Sequence, residues 1–193
     1  FQVQTFTETL PGAVRFALLQ AGVDGVTGAA DENFLIGNSS ANIMNGGAGA
    51  DTIFSVDGDD IVFGGSERDV IYGGAGDDSF SGDNGDDQIY GNAGDDFIDI
   101  DNGDDSQFGG QGNDTIISGA GDIAFGNKGT DLLFGDGAPS VIYGNEGNDI
   151  IFGGGGDDTM YGGQGDDQIY GGGLSSELYG NVGNDTLYGG EEG

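Results

Sequence analysis

A nine-residue repeat occupies most of this chain and narrows the folds open to it more than any other feature. Residues 28–188 divide into eighteen consecutive units, of which one, residues 118–125, is a residue short. Two regular units begin at Gly153 and Gly162 and read GGGGDDTMY and GGQGDDQIY. A short fixed period indicates that each unit forms one structural step and that the fold is a stack of such steps.

The charge balance indicates that a cation other than Lys or Arg offsets the acidic residues in the folded state. The 193 residues include 45 glycines, 35 acidic residues and 3 basic ones, which gives a formal net charge of −32. Because there is no basic patch to neutralise phosphates, the composition excludes nucleic acid as a partner. Metal ions are the expected counter-charge.

The absence of cysteine and histidine narrows the metal chemistry and the enzyme classes. It excludes disulfides, zinc sites built on thiolate or imidazole, and Ser-His or Cys-His catalytic pairs. Oxygen is then the only ligand type, and oxygen-only sites select hard cations such as Ca²⁺. The carboxylates recur in one repeat position, whereas an acid/base pair needs two unlike environments, so we predict no enzyme activity.

Each unit is predicted to form a turn followed by a strand. Positions one to six are rich in glycine, and we expect glycine at positions one, two and four to supply backbone angles that a Cβ would forbid. Position eight is apolar in most units, which predicts one inward residue between two outward neighbours. Two units then make a coil of about 18 residues, and successive coils stack as parallel strands about 4.8 Å apart. The position-eight residues are Ile53, Val62, Ile71, Phe80, Ile89, Ile98, Ile116, Leu133, Ile142, Ile151, Met160, Ile169, Leu178 and Leu187.

Position six carries aspartate in fourteen of the eighteen units, and these are the candidate metal ligands. Turn aspartates that bond their own backbone are the alternative interpretation, but such turns require no common register. In a stack, aspartates and backbone carbonyls of successive turns surround a gap, which suits Ca²⁺ better than the strictly octahedral Mg²⁺. The candidates are Asp51, Asp60, Asp69, Asp78, Asp87, Asp96, Asp105, Asp114, Asp122, Asp131, Asp149, Asp158, Asp167 and Asp185.

The units match the pattern G-G-x-G-x-D-x-U-x, where U is apolar, and in this the chain resembles the RTX (repeats-in-toxin) family over residues 28–193. The resemblance implies an all-β, right-handed parallel β-roll solenoid of two short parallel sheets, with Ca²⁺ in the turns and export by a type I route. Family members include pore-forming toxins, secreted proteases and lipases, adhesins and surface-layer proteins.

The two rims of the predicted roll differ. The regular rim has glycine at position four and aspartate at position six in eight turns, from Asp60 to Asp185, and its seven neighbouring pairs predict about seven Ca²⁺ sites. The interrupted rim carries Ser140 and Ser176 at position six and Glu67, Ala138 and Leu174 at position four. There we expect a few sites, around Asp51, Asp69, Asp87, Asp105 and Asp122, with gaps beyond.

Position nine of alternate units is aromatic at every coil of one sheet. A cross-strand ladder that stabilises the sheet is the first interpretation. An exposed face that contacts another molecule is the alternative. The residues are Phe54, Tyr72, Tyr90, Phe108, Phe125, Tyr143, Tyr161 and Tyr179.

Residues 1–27 stand outside the repeat. Residues 1–10 suit a strand, and residues 13–21 suit a short strand or one helical piece. We expect this segment either to cap the first coil or to dock on a neighbouring molecule. The chain begins with Phe1 rather than Met, shows no secretory leader and has no apolar run of about 20 residues that would span a bilayer.

We therefore predict a secreted, non-enzymatic, Ca²⁺-binding structural module that folds on Ca²⁺ after export. A building block of an extracellular surface layer, filament or adhesin, at the cell surface and capable of self-association, is the first hypothesis. The alternative is the export and folding module of a secreted toxin, protease or lipase whose active domain lies outside this chain.

Overall fold

Two long parallel β-sheets form the protein, and the chain alternates between them at every step. The computed structural model describes residues 16–100, 102–173 and 175–190, together with the backbone of residues 7–9. The described residues contain twenty-one strands, all paired in parallel with the strand two places away in the sequence. This topology is the all-β parallel β-roll predicted from the repeat.

The odd-numbered strands form an eleven-stranded sheet and the even-numbered strands a ten-stranded sheet. The first consists of β1 (Thr7–Thr9), β3 (Gly25–Thr27), β5 (Ile43–Ala48), β7 (Ile61–Ser66), β9 (Ser79–Asn84), β11 (Phe97–Asp99), β13 (Thr115–Ile117), β15 (Leu132–Phe134), β17 (Ile150–Phe152), β19 (Gln168–Tyr170) and β21 (Thr186–Tyr188). The second consists of β2 (Phe16–Leu18), β4 (Phe34–Ile36), β6 (Thr52–Asp57), β8 (Val70–Ala75), β10 (Gln88–Ala93), β12 (Ser106–Gln111), β14 (Ile123–Lys128), β16 (Val141–Glu146), β18 (Thr159–Gln164) and β20 (Glu177–Val182).

The pairing register follows the repeat through the irregular unit. Ile53 pairs with Ile71 and Ile71 with Ile89, an offset of two full units at each step. Across residues 118–125 the offset is one residue smaller, and Phe108 pairs with Phe125. The missing residue is therefore absorbed in the turn, because both sheets keep equivalent positions aligned on either side of it.

Position eight supplies the core, as predicted. Its side chains from Leu35 to Ile169 lie between the two sheets and are buried, and all except Gln107 form, with a few neighbours, one continuous apolar slab. At the last described coil the burial falls, since Leu178 is half-buried and Leu187 is 42% exposed.

The strands are longer than the predicted three residues at many steps. Strands such as Thr52–Asp57 run on through positions one to three of the next unit, which were expected to belong to the turn. The glycine-rich backbone there stays extended enough to pair with the next coil, as Val56 does with Gly74. From Phe97–Asp99 onward, the strands that lead into the interrupted rim have the predicted three residues.

Both sheets continue into the segment that precedes the repeat. Thr7–Thr9 pairs with Gly25–Thr27, and Phe16–Leu18 pairs with Phe34–Ile36. The region of residues 13–21 thus contains a strand rather than a helical piece. Residues 1–6 and 10–15 of the predicted cap, and Leu174 of the interrupted rim, lie outside the described residues.

No helix of the described part of the chain is long and apolar enough to cross a membrane.

Candidate calcium sites

Glycine serves the turns in two different ways. On the regular rim, positions two and four have positive φ angles from Val56 to Gly183, for example +119° at Gly74 and +131° at Gly76. Position one was also expected to need such an angle, but its glycines have none. Glycine is favoured there by space, because a Cβ added to Gly73 would lie 2.6 Å from Oδ2 of Asp78. At position two the chain instead tolerates side chains with positive φ, such as Asn92 at +77°.

The position-six side chains form an inner row along each rim, buried between successive turns. Each Oδ1 accepts a hydrogen bond from the backbone N–H of the position-six residue one coil earlier, as Asp78 accepts from Asp60 at 2.8 Å. On the regular rim these bonds run without a break from Asn42 to Asp185, at 2.7–3.1 Å. Apart from Asp122, the inner-row aspartates therefore bond the backbone of the neighbouring coil and not that of their own turn, which argues against the simple turn-aspartate interpretation.

The second carboxylate oxygen of the inner row is left without a partner. Eleven buried Oδ2 atoms have no hydrogen bond among the described residues, although buried polar atoms are normally satisfied. In the regular units this oxygen lies against the position-one glycine of its own turn, as in Gly73 and Asp78. The eleven belong to Asp51, Asp60, Asp69, Asp78, Asp87, Asp96, Asp114, Asp131, Asp149, Asp158 and Asp167.

Burial makes these carboxylates costly to ionise. Burial, together with the neighbouring carboxylates of Asp114 and Asp78, raises the pKa of Asp96 to about 8, against the lowering effect of the backbone hydrogen bond from Asp78. Burial likewise raises the pKa of Asp69 and of Asp131 to about 7. At neutral pH the ionised inner row therefore opposes folding unless a cation balances it.

The inner rows fit Ca²⁺ as the counter-charge. Unpaired anionic oxygens recur at each coil, and backbone carbonyls stand close by, since the carbonyl of Gly91 lies 2.6 Å from where a Cβ of Gly73 would be. Among the residues that the structure describes, no three acidic side chains converge on one point. A Ca²⁺ ion in the turns would thus need main-chain oxygens besides carboxylates, which Ca²⁺ accepts readily.

The inner row of the interrupted rim breaks between Asp122 and Ser140, the first serine at position six. The row runs from Asn33 to Asp122 and resumes at Ser140, whose N–H donates to Asp158 Oδ1 at 3.0 Å. Ser176 then offers a hydroxyl instead of a carboxylate to the N–H of Asp158. Asp158 nevertheless has a buried Oδ2 without a hydrogen-bond partner, so a candidate metal ligand is present on this rim beyond the break.

A second set of side chains, at position five of the regular rim, was missed from the sequence. These residues form an exposed outer row in which the bonds run the opposite way, toward the following coil. Oδ1 of Asp77 accepts from the N–H of Asp95 at 2.8 Å, and Oδ1 of Asp95 accepts from the N–H of Asn113 at 2.7 Å. The recurrence of Asp or Asn at position five was the available signal.

The position-nine aromatic residues stack face to face, as the ladder interpretation predicts. From Phe54 to Tyr179, seven successive ring pairs have centroids 4.7–4.9 Å apart and planes within 10° of parallel. Phe16 and Phe34, at position seven, extend the stack in a way that the sequence did not indicate. A shorter ladder on the other sheet joins Phe134 to Tyr188. Use of the ladder from Phe54 to Tyr179 as a contact face stays a prediction.

The stacked coils and their buried acidic rows define a solenoid of the calcium-binding repeat class. The sequence profile of the RTX calcium-binding nonapeptide repeat matches eight overlapping segments: residues 27–62, 54–89, 72–107, 99–122, 108–142, 125–160, 143–175 and 161–192. The chain therefore belongs to the RTX calcium-binding repeat family and is a calcium-binding module. No individual curated protein matches it.

Proposed function

We propose that Ca²⁺ held at the inner rows is what allows this chain to fold. The observation that carries the proposal is the set of eleven buried Oδ2 atoms without a hydrogen-bond partner. Without a cation, ionising these groups disfavours the folded state, and the formal charge of −32 adds repulsion. Because a cation bound only by the folded state stabilises it by mass action, binding energy becomes folding energy.

The proposed ligands are position-six aspartates in two groups, one on each rim. On the regular rim, Asp60 to Asp185 form an unbroken row that supports about seven sites between eight turns. On the interrupted rim, Asp51, Asp69, Asp87 and Asp105 form a shorter row, and Asp158 stands beyond the break. Backbone carbonyls of the same turns would complete the coordination.

Native mass spectrometry of the protein in Ca²⁺ tests this assignment. We expect about seven or more bound ions in the wild type and fewer in an Asp131→Asn variant, because Asp131 contributes one of the unpartnered Oδ2 atoms. The matched control is Asp166→Asn, since Asp166 is an exposed outer-row residue. A wild-type protein that binds no Ca²⁺, or a control that loses as many ions as the Asp131 variant, would contradict the assignment.

We also propose that the roll acts outside the cell as a stiff structural element of a surface layer, filament or adhesin. Ca²⁺ sites of extracellular modules work at about 10⁻⁴–10⁻³ M, so a chain of this kind would stay unfolded in the cell and fold after export. Two sheets that run through the described coils, together with the stacked rings from Phe54 to Tyr179, support a rigid rod.

Negative-stain microscopy with and without Ca²⁺ tests the structural proposal. We expect rods that associate into ordered assemblies in Ca²⁺ and disperse in chelator. Monodisperse single rods at all Ca²⁺ concentrations would count against assembly and favour a folding module of a larger secreted protein.

A further inference from the structure

One core position of the roll is polar. Gln107 occupies position eight, where the other described units from Leu35 to Ile169 carry apolar side chains, and it is fully buried. Its strand neighbours at the same position are Ile89 and Ala124. A buried amide without partners is costly, so the groups that satisfy Gln107 are informative.

Gln107 is satisfied by residues of the short unit, and together they form a clasp of Gln107, Ser118, Gly119 and Asp122. The hydroxyl of Ser118 donates to Oε1 of Gln107 at 2.7 Å, and Nε2 of Gln107 donates to Oδ2 of Asp122 at 3.1 Å. The N–H of Gly119 also donates to this Oδ2, at 2.6 Å. Oδ1 of Asp122 accepts from the N–H of Asp105 at 2.9 Å. Both oxygens of Asp122 are therefore bonded to N–H groups of the protein.

The clasp sets Asp122 apart from the eleven aspartates whose Oδ2 has no partner. Three irregularities of the sequence meet at this one carboxylate: glutamine at position eight, Ser118 where most units have glycine at position one, and a turn one residue short. The short turn brings the N–H of Gly119 onto the oxygen, while Ser118 fixes the Gln107 amide with its N–H₂ toward the carboxylate. The N–H dipoles point at the oxygen that a cation would use.

We propose that the clasp replaces Ca²⁺ at the Asp122 turn, so that Asp122 is not a Ca²⁺ ligand. This inference rests on the proposed Ca²⁺ sites elsewhere in the roll. The clasp gives Oδ2 of Asp122 two N–H donors, Oδ1 has a third from Asp105, and Gln107 ties the turn to the previous coil. It lies just before the break in the interrupted rim, where the inner row stops at Asp122 and resumes at Ser140. The last turn before the break is thus held to the previous coil by hydrogen bonds that need no metal.

Anomalous diffraction from crystals grown with Tb³⁺ in place of Ca²⁺ tests the proposal directly on the wild-type protein. We expect peaks beside Oδ2 of Asp87 and Asp114, and no peak beside Oδ2 of Asp122. A peak in contact with Asp122 Oδ2 would overturn the proposal that the clasp replaces Ca²⁺ at this turn. Absence of peaks at all three aspartates would instead remove the proposed Ca²⁺ function, and with it this inference.

Ion counts by native mass spectrometry give a second, independent readout. Asp122→Asn is expected to leave the number of bound Ca²⁺ unchanged, whereas Asp114→Asn, in the adjacent unit of the regular rim, is expected to lower it by at least one. An Asp122→Asn protein that loses as many ions as Asp114→Asn would overturn the proposal. If the Asp122 variant fails to fold, the diffraction result on the wild type decides.

Discussion

The backbone N–H of Asp78 donates a hydrogen bond to Oδ1 of Asp96, one coil further along the stack, at 2.9 Å. The same bond repeats along the regular rim, so each carboxylate from Asp60 to Asp167 bonds the previous turn through Oδ1, while its Oδ2 has no hydrogen-bond partner. In the function proposed above, a structural role and a metal-binding role are thus divided between the two oxygens of one side chain.

Asp96→Asn separates these roles and should act in opposite directions with and without Ca²⁺. In Ca²⁺ we expect the free energy of unfolding to fall by about 1–3 kcal/mol, since a charged ligand is lost while the Oδ1 acceptor remains. In chelator the substitution should favour folding, because it removes a buried carboxyl group whose pKa is raised to about 8 and whose ionisation therefore opposes folding. Chemical denaturation followed by circular dichroism measures both effects.

Asp95→Asn is the matched control for that experiment. Asp95 is an exposed outer-row residue whose Oδ1 accepts from Asn113, a bond that asparagine keeps. Stability should stay within about 0.5 kcal/mol of the wild type, with the count of bound Ca²⁺ unchanged. Equal losses for the two variants would show that buried inner-row carboxylates have no special role.

Gly73→Ala tests the close approach between position one and the inner row. A Cβ there would lie 2.6 Å from Oδ2 of Asp78 and equally close to the carbonyl oxygen of Gly91, so we expect a loss of about 1–3 kcal/mol and weaker Ca²⁺ binding. Gly137→Ala is the control, since nothing lies within 4 Å of its Cβ position. Thermal melts in saturating Ca²⁺ should rank the two clearly, and similar melting temperatures would refute the steric argument.

The raised pKa values predict how pH acts on the metal-free chain. Burial raises the folded-state pKa of Asp78 to about 7 and of Asp96 to about 8, from an ordinary value of 3.8. The folded state therefore binds more protons than the unfolded state, and its stability without metal falls as pH rises from about 4 through 8. In chelator we expect strand content to increase on acidification from about pH 8 toward about pH 5. A decrease in strand content on acidification would contradict the claim that the folded state binds more protons than the unfolded state.

Protons and Ca²⁺ should also compete for the same oxygens. The dissociation constant of Ca²⁺ for the folded roll is expected to rise as the pH is lowered below about 7, where Asp69 and Asp131 begin to protonate. Calorimetric Ca²⁺ titrations of the folded protein at several pH values measure this shift. A dissociation constant independent of pH would place Ca²⁺ on groups other than these carboxylates.

Tyr90→Ala tests the aromatic ladder as a source of stability. The ring stacks on Tyr72 at 4.9 Å and on Phe108 at 4.7 Å, and each such pair contributes about 0.5–1.5 kcal/mol beyond its burial. We expect a loss of about 1 kcal/mol or more with the number of bound Ca²⁺ unchanged, and near wild-type stability for Tyr90→Phe. If Tyr90→Ala abolished assembly without loss of stability, the contact-face interpretation would be favoured instead.

The period of the sequence was enough to predict the sheets, the inward position eight and the stacking of position six, because each follows from one inward residue per strand. The break in the interrupted rim was also visible, as Ser140 and Ser176 lack a carboxylate. The length of strands such as Thr52–Asp57 could not be predicted, since glycine-rich segments carry no side-chain pattern that separates strand from turn.

The finer chemistry of the site depends on contacts between coils, which no single unit displays. That Oδ1 of Asp78 bonds the previous turn follows only from the vertical alignment of two turns. The clasp was missed because Gln107, Ser118 and the short turn each look like a separate flaw of the repeat. Their partnership becomes evident only when the stack brings them onto Asp122.

Far-ultraviolet circular dichroism of the protein after exhaustive dialysis against EDTA, followed by addition of Ca²⁺ or of equimolar Mg²⁺, tests the central claim most directly. We predict a chain without ordered strands in EDTA at neutral pH, full strand signal on adding Ca²⁺ and little change with Mg²⁺. Strand signal that persists in EDTA, with no metal found by elemental analysis, would contradict the account.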